Sequence, residues 1–80
     1  MNSRLIQRNV VVFGRRTSLR LEPEFWDALV EIGKVADETL TETIEMARSK
    51  MGNGGLTSAV CVYVLQWFRA ERSRRAGEGR

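Results

Sequence analysis

Three residues at alternate positions of one segment have the chemistry to recognise a partner through hydrogen bonds, and they are Arg16, Ser18 and Arg20. Because side chains alternate between the two faces of a β-strand, these three share one face and the residues between them share the other. An arginine fork suits the O6 and N7 acceptors of guanine, and a serine hydroxyl can bond several base edges. A strand of this kind, paired with a second strand, can read bases in the major groove of DNA. The pattern therefore predicts base contacts from Arg16, Ser18 and Arg20.

The charges of the chain are unevenly distributed. Residues 1–21 hold five Arg and no acid, residues 22–68 have a net charge of −5, and residues 69–80 have a net charge of +3, within a total of +3. Basic ends around an acidic middle indicate that the ends contact a polyanion. We therefore expect phosphate contacts from Arg4, Arg8 and Arg15, which strengthen binding without choosing a sequence.

The composition argues against catalysis. The chain has no His, and His is the commonest general base and metal ligand. Its single Cys61 lies among apolar residues, which predicts an inert, packed thiol in a reducing compartment. The glycine-rich residues 52–55 lack the Lys-Ser/Thr pair of a phosphate-binding loop. We therefore expect a protein that is not an enzyme, with no catalytic residue, no metal and no cofactor.

Apolar residues are abundant, but their runs are short. No run is long enough to span a bilayer, and polar residues interrupt the apolar ones near the N-terminus, unlike a signal peptide. We therefore expect a cytoplasmic location and no membrane partner. Because 80 residues bury only a thin core and 42% of them are hydrophobic, the composition also favours a dimer.

The segment with the alternating pattern lies between an apolar stretch and a helix. Residues 9–13 are rich in β-branched side chains and are followed by Gly14, which permits either a turn back onto residues 17–21 or a bulge in one long extended segment. Pro23 suits the first position of a helix. The apolar residues of this helix repeat at helical spacing and form one face. They are Phe25, Leu29, Ile32 and Ala36, and Trp26 and Val30 widen the face.

Two further elements follow. A second helix begins with Thr39 as cap, in a capping box with Glu42, or with Thr41 as cap, and it ends at the glycines of residues 52–55. Residues 57–72 have the β-branched content of a buried strand, but their length, Thr57 as a cap and the arginines at their end favour a helix. A helix that is apolar nearly all round must be buried nearly all round, which implies a subunit interface.

The order of basic ribbon, helix, loop and helix resembles the ribbon-helix-helix family of DNA-binding proteins, in its bacterial branch with an added C-terminal helix. Residues 16–29 carry the resemblance, which covers roughly residues 15–51 and extends over residues 56–68. It implies a mainly α fold with a short N-terminal β-strand, in an obligate homodimer. Each subunit would give one strand to an intersubunit two-stranded antiparallel ribbon that lies in the major groove. The start of the second helix, near Leu40, Thr41 and Glu42, would hold a backbone phosphate.

The sequence therefore predicts a basic arm or extra extended segment in residues 1–14, a ribbon-helix-helix domain with a third helix in residues 15–75, and a disordered tail in residues 76–80. The predicted function is sequence-specific binding of double-stranded DNA as a homodimer and regulation of transcription. The alternative is a dimeric protein-interaction module, or an antitoxin-like partner, on the same scaffold. The third helix offers a surface for a protein partner.

Overall fold

The chain forms two strands followed by three helices in the computed structural model, which describes residues 4–52 and 54–78, with side chains as far as residue 73. The elements are β1 (Ile6–Val12), β2 (Arg15–Leu21), α1 (Pro23–Ala36), α2 (Leu40–Lys50) and α3 (Leu56–Glu78). This mostly helical architecture with a short N-terminal β-structure confirms the predicted fold class.

β1 and β2 form an antiparallel hairpin within the chain. Val12 lies opposite Arg15 and Ile6 lies opposite Leu21, so only Phe13 and Gly14 connect the strands. Both have left-handed backbones, with φ of 51° and 79°, as in the two-residue turns whose twist matches that of a hairpin. Of the two geometries open at Gly14, the turn is therefore correct. Residues 6–12 are strand rather than arm, and the pairing of strands between subunits stays a prediction.

α1 begins at Pro23 as expected, but its buried face is rotated from the predicted one. The buried residues are Trp26, Leu29, Ile32 and Gly33. Phe25, which was predicted on the apolar face, is only half-buried. Val30 (45% exposed) and Ala36, also predicted on that face, are exposed and lie outside the core. The hairpin explains the rotation, because the Trp26 indole N–H donates to the carbonyl oxygen of Ile6 at 2.9 Å and draws that side of α1 against β1.

The junction between α1 and α2 depends on a close approach of the backbone. Asp37 adopts a left-handed conformation (φ 60°), and the Glu38 N–H donates to the Gly33 carbonyl at 2.7 Å. A Cβ at Gly33 would lie 2.7 Å from the Glu38 carbonyl oxygen, so glycine is required there. Thr39 then caps α2 in a full capping box with Glu42. Of the two predicted caps, Thr39 is correct and Thr41 is wrong.

α3 is a helix, which excludes the strand alternative for residues 57–72. Its first turn is closed by a hydrogen bond from the Ala59 N–H to the Gly55 carbonyl, so Gly55 occupies the cap position and the prediction of Thr57 as cap is wrong. The helix continues to Glu78, into the tail that was expected to be disordered. Residues 79 and 80 of that tail lie outside the described residues, as does Asn53 of the glycine-rich connection.

One core joins the hairpin to all three helices. Its buried members are Val10, Val12, Leu19, Leu21, Trp26, Leu29, Ile32, Ile44, Ala47, Val60, Tyr63 and Val64. α3 buries only one side in this core, whereas Val62 and Leu65 of α3 are exposed. A single chain therefore does not bury α3 nearly all round, as the sequence analysis required of this helix. Over the ranges that the structure describes, no helix combines the length and the apolar character needed to cross a membrane.

Candidate nucleic-acid interface

The face of the hairpin that points away from the helices is exposed along its whole length. Since residues directly opposite each other share a face, the register of β1 and β2 places six side chains on it, and they are Gln7, Asn9, Val11, Arg16, Ser18 and Arg20. We call this set the outward face. Leu19 and Leu21 alternate with them and are fully buried. The structure therefore brings the three predicted base-contacting residues together on one exposed surface.

Two cross-strand hydrogen bonds order this outward face. Nη2 of Arg20 donates to Oε1 of Gln7 at 3.0 Å, and Oγ of Ser18 donates to Oδ1 of Asn9, also at 3.0 Å. These exposed bonds contribute little to folding, because each replaces bonds to water. They do hold the two amide side chains beside two of the three predicted base-contacting residues, Ser18 and Arg20.

Gln7 and Asn9 were not predicted as site residues. The signal for them is the alternation of residues 7, 9 and 11 with residues 6, 8, 10 and 12 in β1. That alternation assigns Gln7 and Asn9 to the outward face only when residues 6–12 are recognised as a strand and paired with β2. Read as part of a flexible arm, Gln7 has no defined neighbour.

Arg8 and Arg15 lie on the opposite face of the hairpin from Arg16 and Arg20. Arg8 stacks on Trp26, with its Cζ atom 5.2 Å from the ring centroid. Arg15 lines a shallow depression with Arg48 and Leu56, near the connection between α2 and α3. Both side chains are exposed, but the structure does not bring them to the outward face.

Arg4 lies just before β1 and is paired with α1. Its Nη2 atom lies 2.9 Å from Oε2 of Glu24, and the two side chains are 65% and 70% exposed. An ion pair in such contact with water is worth only about 0–1 kcal/mol. Arg4 can therefore exchange Glu24 for another anion at little cost.

At the start of α2, acidic side chains lie close to backbone N–H groups that have no acceptor within the helix. Leu40 and Thr41 are half-buried at the first two helical positions, where N–H groups have no acceptor within the helix. The Glu42 carboxylate accepts the Thr39 N–H at 2.8 Å, and the Glu38 carboxylate accepts from the Thr43 hydroxyl at 3.2 Å. This carboxylate pair lowers the attraction of the helix end for another anion.

The acidic surface continues to the tip of the hairpin. A groove between the tip and α2 is lined by Phe13, Asp37, Glu38, Glu42, Glu45, Met46 and Ser49. Oε2 of Glu45 accepts a hydrogen bond from the Phe13 N–H at 2.8 Å, which fixes the tip against α2. The tip of the hairpin therefore lies directly beside the acidic groove.

The remaining reactive groups are arranged for packing. Burial, with a smaller effect of the Glu22 carboxylate, raises the pKa of the Cys61 thiol. Burial raises the pKa of Tyr63 as well, with a smaller effect of Glu38. Both shifts favour the neutral, unreactive form at neutral pH. Among the residues that the structure describes, no three His, Cys, Asp or Glu side chains are grouped to hold a metal ion.

Comparison with known proteins identifies one family. A family model described as a ribbon-helix-helix domain matches residues 5–68, which include both strands, α1, α2 and the first half of α3. No curated protein and no solved structure matches the chain significantly.

Proposed function

The chain belongs to the ribbon-helix-helix family, whose members are in general DNA-binding transcription regulators, and we propose that it binds double-stranded DNA sequence-specifically as a homodimer and regulates transcription. The observation that carries this proposal is the outward face of the hairpin. It is exposed, it holds two arginines and three neutral hydrogen-bonding side chains, and none of its six residues is acidic.

Base contacts come from Arg16, Ser18 and Arg20. Successive residues on one face of a strand are about 7 Å apart, so the three side chains extend over several base pairs of the major groove. Neighbouring strands are about 5 Å apart, so two adjacent strands fit within that groove, which is about 12 Å wide. The rigid attachment of β2 to the core through Leu19 and Leu21 keeps the three side chains in a fixed spacing.

A second copy of the chain pairs with the free edge of β2. In the described part of the chain β2 pairs with β1 on one edge and with no strand on the other. A free edge is a template for another strand. Pairing of two β2 strands puts the arginines of both subunits at the centre of one sheet, with each β1 outside. The exposed Val62 and Leu65 of α3 supply apolar surface for the dimer or for a protein partner.

Phosphate contacts flank the ribbon. Arg4, Arg8 and Arg15 have exposed side chains that attract the DNA backbone, and the free N–H groups of Leu40 and Thr41 are donors to a phosphate. Glu38 and Glu42 oppose the contact at α2. We therefore assign most of the affinity to the arginines and a minor part to the helix start.

Fluorescence anisotropy on selected and randomised duplexes, at several salt concentrations, tests the proposal. The wild type should prefer the selected duplex, and an Arg16→Ala/Arg20→Ala variant should lose that preference while its circular dichroism is unchanged. Sedimentation of the wild type should show a dimer at low micromolar concentration. A dimer without DNA affinity at low salt contradicts the proposal and supports the protein-interaction module, which the acidic groove beside α2 would serve.

A further inference from the structure

The cross-strand hydrogen bonds of the outward face define which groups remain for DNA. Ser18 donates its hydroxyl proton to Asn9, and Arg20 donates to Gln7. Two of the three proposed base-contacting residues of β2, Ser18 and Arg20, therefore act together with a neighbour from β1. We infer that β1 sets the sequence preference of the ribbon, with the Ser18–Asn9 pair reading adenine and the Arg20–Gln7 pair reading guanine. This inference rests on the proposed function and names the bases that the same surface recognises.

The Ser18–Asn9 pair presents an acceptor beside a donor. A serine hydroxyl can normally donate or accept, so Ser18 by itself discriminates poorly. Here its one proton is held by Oδ1 of Asn9 at 3.0 Å, which leaves the lone pairs of Ser18 as acceptors and the amide N–H groups of Asn9 as donors. In the major groove adenine is the base that offers a donor, at N6, together with an acceptor, at N7.

The Arg20–Gln7 pair presents donors. Arginine has no acceptor, so the 3.0 Å contact uses Oε1 of Gln7 as the acceptor. The other N–H groups of Arg20 and the amide N–H groups of Gln7 are left for the partner. Guanine offers two acceptors on its major-groove edge, O6 and N7, and no donor. The donor pair is complementary to that edge.

The spacing of the two pairs predicts the spacing of the two bases. Ser18 and Arg20 are two positions apart in β2, which corresponds to about 7 Å. Base pairs are stacked about 3.4 Å apart along the helix axis. A strand that follows the groove therefore places the adenine and the guanine about two base pairs from each other in each half-site.

Selection of duplexes from a random pool, with the wild type and single variants, tests the inference. Ser18→Ala and Arg20→Ala identify the positions that each residue reads. We expect adenine at the Ser18-dependent position and guanine at the Arg20-dependent one. Asn9→Ala should abolish the adenine preference, since the freed hydroxyl can then donate to guanine or thymine. Gln7→Ala should weaken the guanine preference. For each variant, the affinity for the preferred base relative to the other bases should fall by roughly tenfold.

Gln66→Ala is the matched control, because it removes the same amide from an exposed position on α3 and should leave every preference unchanged. Circular dichroism must show that the hairpin variants fold. The neutral substitutions at Gln7 and Asn9 should not alter the salt dependence of binding, because no phosphate contact is removed.

The outcomes separate this inference from the proposed function. If Ser18→Ala and Arg20→Ala relax the preference but Asn9→Ala and Gln7→Ala do not, β1 does not set the preference and the inference alone is overturned. Guanine or thymine at the Ser18-dependent position also overturns it. A wild type with no sequence preference, or one that Ser18→Ala and Arg20→Ala leave intact, overturns both.

Discussion

The outward face of the hairpin and the start of α2 both carry hydrogen-bond donors, yet their surroundings differ in charge. On the hairpin, Arg16 and Arg20 are exposed among neutral residues. At α2, the donors of Leu40 and Thr41 lie next to Glu38 and Glu42, whose carboxylates accept hydrogen bonds from the same turn. Electrostatic attraction of a phosphate is therefore concentrated on one region.

This difference shows that a helix start attracts an anion only when its own sequence leaves the positive end uncompensated. A capping box stabilises the helix by satisfying a donor with an internal carboxylate. The same carboxylate opposes phosphate binding. The hairpin has no such conflict, because its stability comes from the buried face and its polar face is left for a partner.

The largest effect is expected from a substitution in the core that supports both the hairpin and α2. Leu29→Ala removes a fully buried side chain from the core that joins the hairpin to the helices. It should lower the free energy of unfolding by about 2–5 kcal/mol, as measured by urea denaturation at fixed protein concentration. Its neighbour Val30→Ala, at a 45% exposed position, should change it by less than about 1 kcal/mol. Equal losses would contradict the observed rotation of α1.

The next effect compares the two faces of the hairpin. Arg20→Ala should reduce the preference for the selected duplex over random DNA by about 1–3 kcal/mol, since it removes a proposed base contact. Arg8, whose side chain stacks on Trp26, lies on the other face. Arg8→Ala should weaken binding to the selected and the random duplex equally, and by less than Arg20→Ala weakens binding to the selected one. Competition binding measures both variants. If Arg8→Ala selectively weakened binding to the selected duplex, the base-contacting surface would lie on the face of Arg8 and not on the outward face.

A smaller effect tests the start of α2. Glu42→Gln keeps an oxygen that can accept the Thr39 N–H but removes a negative charge. If the helix start approaches a phosphate, DNA affinity at low salt should rise by about 0.3–1 kcal/mol. Glu31→Gln on α1, also exposed, removes the same charge away from the site and is the control. Equal changes in both variants would show that only net charge matters.

The smallest effect concerns Arg4. Because its ion pair with Glu24 is exposed, Arg4→Ala should change the free energy of unfolding by less than about 1 kcal/mol. Binding to all duplexes should weaken together. The slope of log affinity against log salt should become shallower by about 0.9, the value for one lost phosphate contact. An unchanged slope would remove Arg4 from the interface.

Local patterns were sufficient for much of the fold. Alternation at residues 16–21 predicted β2, Pro23 predicted the start of α1, and Thr39 with Glu42 predicted the capping box, because each depends on neighbours a few residues away. The resemblance carried by residues 16–29 is confirmed by the match of the family model. Thr57 was a wrong cap because Gly55, two residues earlier, already accepts the first helical hydrogen bond.

The partners across the hairpin could not be predicted in the same way. Gln7 and Asn9 became site candidates only when the turn at Phe13 and Gly14 brought β1 against β2. The exposure of Val30 likewise depends on where the hairpin packs on α1. These are contacts between distant segments, which no local spacing specifies.

Residue order alone established that Arg16, Ser18 and Arg20 share a face and that α1 begins at Pro23, since strand and helix periodicities are properties of the local backbone. Packing in three dimensions determined that this face is completed by β1, that Arg8 of β1 points to its opposite side, and that Glu45 of α2 accepts a hydrogen bond from the tip of the hairpin. The physical reason is that burial of one apolar core orients every element at once, so the neighbours of a surface residue follow from the whole fold.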